Sequence, residues 1–176
     1  FWEYGTGALG DIGCHTLDAP YKTLKLGYPS SVECTATNVF RKMWVPEYTP
    51  TGCPISSIVT IEYKNSPHNK DGIKLIWMDG GLTPTIPEEI KEEYIMNFDK
   101  GDSSGIMMVG AKGVITAEIY ANNPTLYIKG EKPVVFSTSK QPNVNIVHAS
   151  TWTEACKAGF NSKEHKNLTS SFDYSG

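Results

Sequence analysis

The sequence predicts an α+β domain, an open and mostly antiparallel β-sheet with helices packed on one face. Three observations carry that prediction. Apolar residues recur at helical spacing over residues 10–27, short segments of β-branched residues with period-two patterning fill the middle, and a second helical pattern lies near the end. The middle segments are separated by compact turn signals and not by helices, which speaks against the alternating order of a parallel sheet.

Each element follows from its residues. Ile12, Leu17, Tyr21, Leu24 and Leu26 define the first helix, with Asp11 expected as its N-cap and Gly27 as its stop. Pro20 removes a backbone hydrogen bond and crowds the Thr16 carbonyl, so a kink or a restart from Asp18 as a second cap is expected. Strands are expected at 31–40, 58–63, 73–78, 106–109, 114–119, 125–128 and 133–136, where Val, Ile, Thr and aromatic residues concentrate. Turn signals at 65–67, 79–81, 110–113 and 122–124 divide them. Pro87 followed by Glu88 and Glu89 suits the start of a short helix at 87–94, and another is expected at 150–158.

Composition bounds the function. The chain has 176 residues, 16 Lys+Arg against 19 Asp+Glu and a formal net charge of −3, so it has no basic excess for a nucleic-acid backbone or an anionic membrane. No segment approaches the ~18 apolar residues that span a bilayer as a helix. Neither nucleic acid nor membrane is expected as a partner. Cys14, Cys34, Cys53 and Cys156 form no C-x-x-C pair and are expected to be buried free thiols, with two disulfides as the alternative. His15, His68, His148 and His165 show no zinc-ligand spacing, so no protein-built metal site is expected. The aromatic opening Phe1-Trp2-Glu3-Tyr4 reads as an interior segment of a longer protein.

Two motifs invite a nucleotide reading and fail on context. Gly5-Thr-Gly-Ala-Leu-Gly10 matches G-x-G-x-x-G, but only four residues precede it, and Asp11 would set a carboxylate where a pyrophosphate should sit. Its glycines are expected to serve a tight turn close to a ligand or another element. Glu131-Lys-Pro133 lies between two short strands, where a charged hairpin turn is the ordinary explanation. The constellation with chemical content is Asp11, His15 and Asp18. Spacings of four and three place them on one helix face, gathering an imidazole and two carboxylates able to bind a polyol and accept a hydroxyl proton. The structural alternative makes Asp11 and Asp18 helix caps and His15 a partly buried polar residue.

Residues 1–18, Phe-Trp-Glu-Tyr-Gly-Thr-Gly-Ala-Leu-Gly-Asp-Ile-Gly-Cys-His-Thr-Leu-Asp, resemble the segment that opens the C-terminal domain of the Gfo/Idh/MocA oxidoreductases, in particular a Bacteroidetes-type bacterial subgroup. Trp77-Met-Asp-Gly-Gly-Leu-Thr-Pro84, Pro87-Glu-Glu, Val109-Gly-Ala-Lys-Gly-Val114 and Asn167-Leu-Thr-Ser-Ser-Phe-Asp-Tyr174 extend the similarity over nearly the whole chain. The resemblance implies the substrate-binding and oligomerisation half of an NAD(P)-dependent enzyme acting on a sugar or polyol CH–OH group. NAD or NADP would be bound mainly by a Rossmann domain outside this chain, with no cofactor site expected within it, and this chain alone would be inactive.

The resemblance also implies roles. His15 is similar to the proton acceptor, Asp11 to its partner and a substrate hydrogen-bonder, and Asp18 to a position that holds a further hydroxyl. Tyr4 and Thr6 are implied pocket residues, and a homo-oligomer through the open sheet face is the implied partner, with Ile73, Leu75 and Trp77 or their alternates as its apolar surface. An NAD-dependent glycosidase of the same fold and a non-catalytic sugar-binding or assembly module stand as alternatives. An unrelated carbohydrate-binding β domain would not need the Asp11/His15/Asp18 helix.

Overall fold

A computed structural model describes residues 3, 5–47, 52–64, 66–90, 104–137, 143–171 and 174. The fold is α+β with antiparallel open sheets, and the chain divides into two compact units, Phe1–Ser137 and Thr138–Gly176.

The first unit opens with helix α1, Gly7–Leu24. It begins a turn earlier than the sequence predicts, with Thr6 and not Asp11 at the N-cap position. Two glycines allow this. Gly7 takes a positive φ of 74° and lies against Cys53, while the space beside Gly10 is filled by the Thr6 side chain. The helix runs through Pro20 without a restart, so Asp18 is an interior helical residue and not a second cap. Pro20 is buried. The helix stops at Lys25, two residues before Gly27. Lys25 adopts a left-handed φ of 51°, its N–H donates to the Lys22 carbonyl, and the Leu26 N–H donates to that of Tyr21. This closure satisfies terminal carbonyls and tucks Leu26, 2% exposed, into the interior.

Strands β1 (Ser31–Ala36), β4 (Ser57–Tyr63) and β5 (Ile73–Met78) form a three-stranded antiparallel sheet in the order β1-β4-β5. The strand expected at 31–40 is broken after Ala36. The Thr37 hydroxyl pairs with the Ser56 hydroxyl at 2.9 Å and its N–H donates to the Ser56 carbonyl, after which the chain turns into a separate hairpin, β2 (Val39–Lys42) and β3 (Val45–Glu47). Register assigns the faces. Val32, Cys34, Val59, Ile61, Leu75 and Trp77 share one side through the pairs Val32↔Ile61↔Leu75 and Cys34↔Val59↔Trp77. The opposite side carries the Lys74–Glu62 ion pair and exposed Ile76.

Trp77 is therefore a core residue, not part of an open face, and Ile73 and Leu75 are half-buried. The end of α1 lies close to this sheet, where the Ser66 hydroxyl donates to the Leu24 carbonyl at 3.3 Å and Tyr21 neighbours Tyr63. Burial of Tyr63, reinforced by Tyr21, holds its phenol above the usual value of 10.0. The folded state thus holds the Tyr63 proton more tightly than the unfolded chain does. This contribution to stability is complete below the unfolded pKa and is lost as pH rises through the folded one. Urea midpoints should fall above about pH 10 in the natural protein and fall less in Tyr63→Phe.

Strands β6 (Gly105–Gly110), β7 (Gly113–Glu118), β8 (Thr125–Tyr127) and β9 (Val134–Val135) form a four-stranded antiparallel meander. Val114, 1% exposed, is at the centre of a cluster with Ile90 and Tyr127, against which Ile86 and Met107 pack. Of the helix expected at 87–94, residues 87–90 form a turn closed by the Ile90 N–H on the Pro87 carbonyl, and 91–94 lie outside the described residues. Glu131-Lys-Pro133 lies in the β8–β9 connection, where the Glu131 N–H donates to the Ile128 carbonyl.

The second unit contains helix α2 (Val144–Ala158) and helix α3 (Lys163–Lys166). Helix α2 starts six residues before the expected boundary, because the Asn143 side chain caps it by accepting from the Asn145 N–H. Helix α3, too short for its periodicity to announce it, is capped by the Ser162 hydroxyl accepting from the His165 N–H, and the Phe160 and His165 rings meet at a tilt of 58° with centroids 4.9 Å apart.

All four cysteines are free, but they are not buried: Cys14, Cys34 and Cys156 are exposed and Cys53 is half-buried. Cys14 points from the solvent side of α1, and Cys34 stands on β1, whose six residues are all exposed.

Candidate functional site

Helix α1 presents two stripes. Gly13, Thr16 and Pro20 are buried, with the Thr16 hydroxyl donating back to the Ile12 carbonyl at 3.4 Å. Asp11, His15 and Asp18 occupy the roughly opposite side, within about 60° of arc, and all three are exposed. The grouping expected from sequence is thus realised on one uninterrupted helix. The purely structural roles are not: neither aspartate caps a helix, and His15 is not buried.

His15 has one aromatic neighbour among the described residues. Its imidazole meets the Tyr120 ring edge to face, with centroids 5.4 Å apart and planes at 71°. Tyr120 comes from the β7–β8 connection, a position far along the chain that no local pattern marks. That connection is tightly bonded. The Ala121 N–H donates to the Glu118 carbonyl at 2.7 Å, the Glu118 N–H to the Asn122 carbonyl at 3.1 Å, and the Asn123 amide to the Glu118 carboxylate at 2.7 Å. Ala121 and Asn123 both take left-handed φ values, 58° and 48°, which bend the chain back so that Tyr120 projects from the turn.

Thr6 is exposed, directly before α1, with its side chain over Gly10 and no capping bond from its hydroxyl. Tyr4 lies outside the described residues. Among the described residues, no cluster of three or more His, Cys, Asp or Glu could hold a metal ion, and no buried side-chain nitrogen or oxygen lacks a hydrogen-bond partner.

The glycine-rich segment does not fit a dinucleotide. A pyrophosphate needs open backbone at the helix start, yet Gly7 is packed on Cys53 and the space at Gly10 belongs to Thr6.

A second polar group, which the sequence marks only as a turn, holds the three-stranded sheet together. The Asp79 carboxylate accepts from the Ser57 N–H, from the Ser57 hydroxyl at 2.9 Å and from the Trp77 indole N–H at 2.9 Å. Gly80 follows with φ 65°, and a Cβ there would overlap the Ile55 carbonyl and Ser56. Both carboxylate oxygens are engaged by donors from within the chain, so this group is structural.

Comparison with protein-family models finds no match for this chain, and no curated protein matches it.

Proposed function

We propose that this chain is the substrate-binding half of an NAD(P)-dependent oxidoreductase of the Gfo/Idh/MocA type, acting on a CH–OH group of a sugar or polyol. The observation that carries the reading is the placement of Asp11 and His15. They stand one turn apart on the exposed stripe of α1, have no capping or core role, and face outward where a substrate can reach them. The resemblance of residues 1–18 to the opening of that family's C-terminal domain agrees with this placement.

In this reading the hydroxyl of the substrate donates to the His15 imidazole, which acts as the proton acceptor. The O–H proton goes to His15 as the carbon–oxygen bond becomes a carbonyl, and a nicotinamide, held by a separate nucleotide-binding domain, would supply the hydride-accepting chemistry when bound. Asp11 accepts a hydrogen bond from the same or a neighbouring hydroxyl and limits how the sugar can lie on the helix. Asp18, one turn further on, is placed for another hydroxyl, and Thr6 for the near end of the ring. With Gly7 packed on Cys53 and the space at Gly10 taken by Thr6, the role assigned to this chain is recognition and proton acceptance.

The test is product analysis with the enzyme formed by this domain and its nucleotide-binding domain. A panel of sugars and polyols should yield reduced nicotinamide in proportion to carbonyl product. Free sugar released from a glycoside without net reduced nicotinamide would assign glycosidase chemistry instead.

The same reading carries a homo-oligomer through the open sheet. Strand β1 supports it, since the apolar side of the sheet is covered at Val59 and Trp77 but not at the β1 edge, where Val32 is 58% exposed. Light scattering should find an oligomer for the natural sequence and a shift toward monomer for Val32→Glu, with the far-ultraviolet dichroism retained.

A further inference from the structure

We propose that Tyr120 is the positioning residue for His15, holding the imidazole in the orientation from which it accepts the substrate proton. The proposal rests on the reading of His15 as proton acceptor.

An exposed histidine on a helix ordinarily samples several rotamers, and its ring turns freely about the outer torsion. A base in that state spends little time aimed at one hydroxyl. His15 has no hydrogen bond or ion pair among the described residues that would fix it, and Asp11 makes none to it. What touches its ring is Tyr120, edge to face at 5.4 Å. An edge-to-face aromatic contact of this kind favours one rotamer severalfold.

The turn that supplies Tyr120 is built to hold it. Two consecutive backbone bonds, the Asn123–Glu118 bond and two left-handed residues over 118–123 fix the connection, while Tyr120 itself stays 62% exposed. A large aromatic left that exposed adds little to the core, and its one ring contact among the described residues is the histidine. The contact is made by the ring and not by the hydroxyl, so phenylalanine should substitute for it.

The test combines histidine-labelled NMR of this chain with kinetics of the two-domain enzyme, for Tyr120→Ala, Tyr120→Phe and His15→Ala. In Tyr120→Ala the His15 ring-proton signals should move as the ring-current contribution is lost, and in Tyr120→Phe they should stay near their natural positions. Turnover should follow: kcat falls by about 2- to 10-fold in Tyr120→Ala with KM little changed, and Tyr120→Phe restores it. His15 signals unmoved by Tyr120→Ala overturn the proposal, because the contact is then absent. Moved signals with natural kcat in Tyr120→Ala, while His15→Ala is inactive, overturn positioning and leave the role of His15 standing. Natural turnover in His15→Ala overturns both, even where NMR reports the ring contact.

Discussion

On the proposed oxidoreductase reading, replacing His15 by alanine should lower kcat for sugar oxidation by about 10²- to 10⁴-fold in the enzyme completed by a nucleotide-binding domain, the range spanned by a positioned general base. KM should change far less, because the imidazole gains most of its interaction as the proton moves. The fold should be untouched. His15 lies on the exposed stripe of α1, away from Gly13, Thr16 and Pro20, and alanine is the better helix former. Steady-state kinetics beside a thermal melt separate the two effects: activity collapses while the melting temperature holds or rises slightly. Asp11→Asn should give a smaller loss expressed in both kcat and KM, because the amide still hydrogen-bonds a hydroxyl but carries no charge.

Asp79→Ala should produce the largest loss of stability of any single polar change in the three-stranded sheet, roughly 3 kcal/mol by urea denaturation. Three donors lose their acceptor together: the Ser57 N–H, the Ser57 hydroxyl and the Trp77 indole N–H. Trp77 is 9% exposed, so its N–H finds little water in compensation. The same change weakens the end of the β4–β5 ladder, where the Asp79 N–H donates to the Ser57 carbonyl. Asp79→Asn should recover only part of the loss, since its amide nitrogen replaces one of the two acceptor oxygens with a donor. A midpoint for Asp79→Ala equal to that of the natural sequence would show that water satisfies these donors.

Much of the architecture is legible in the sequence because its signals are local. The strands at 58–63, 73–78 and 114–119 announce themselves by β-branched residues, and Asp79-Gly-Gly81 and Gly110-Ala-Lys-Gly113 mark their ends. Sequence and structure part where a longer-range contact decides. Thr37 ends β1 because Ser56, nineteen positions away, offers its hydroxyl and carbonyl. Helix α1 starts early because Thr6 and Cys53 occupy the space that Gly10 and Gly7 leave. Helix α2 includes Val144, Asn145, Ile146 and Val147, poor helix formers that a cap at Asn143 draws in nonetheless.

The site divides in the same way. Asp11, His15 and Asp18 share a face by the arithmetic of helical spacing, whichever residue caps the helix, so their grouping is legible in the sequence. Tyr120 is not, since nothing in the residues around it names a partner on α1. Trp77 could be assigned to a face only once the pairing Cys34↔Val59↔Trp77 fixed the register.

The proposed chemistry depends above all on the proton of the substrate hydroxyl passing to His15, and the pH dependence of kcat/KM for sugar oxidation reads that step. In the natural enzyme kcat/KM should rise with pH along a single limb, as general-base catalysis requires of whichever group accepts the proton. In His15→Ala that limb should disappear and the residual rate should grow with hydroxide instead. The same limb, with the same midpoint, persisting in His15→Ala would show that another group takes the proton.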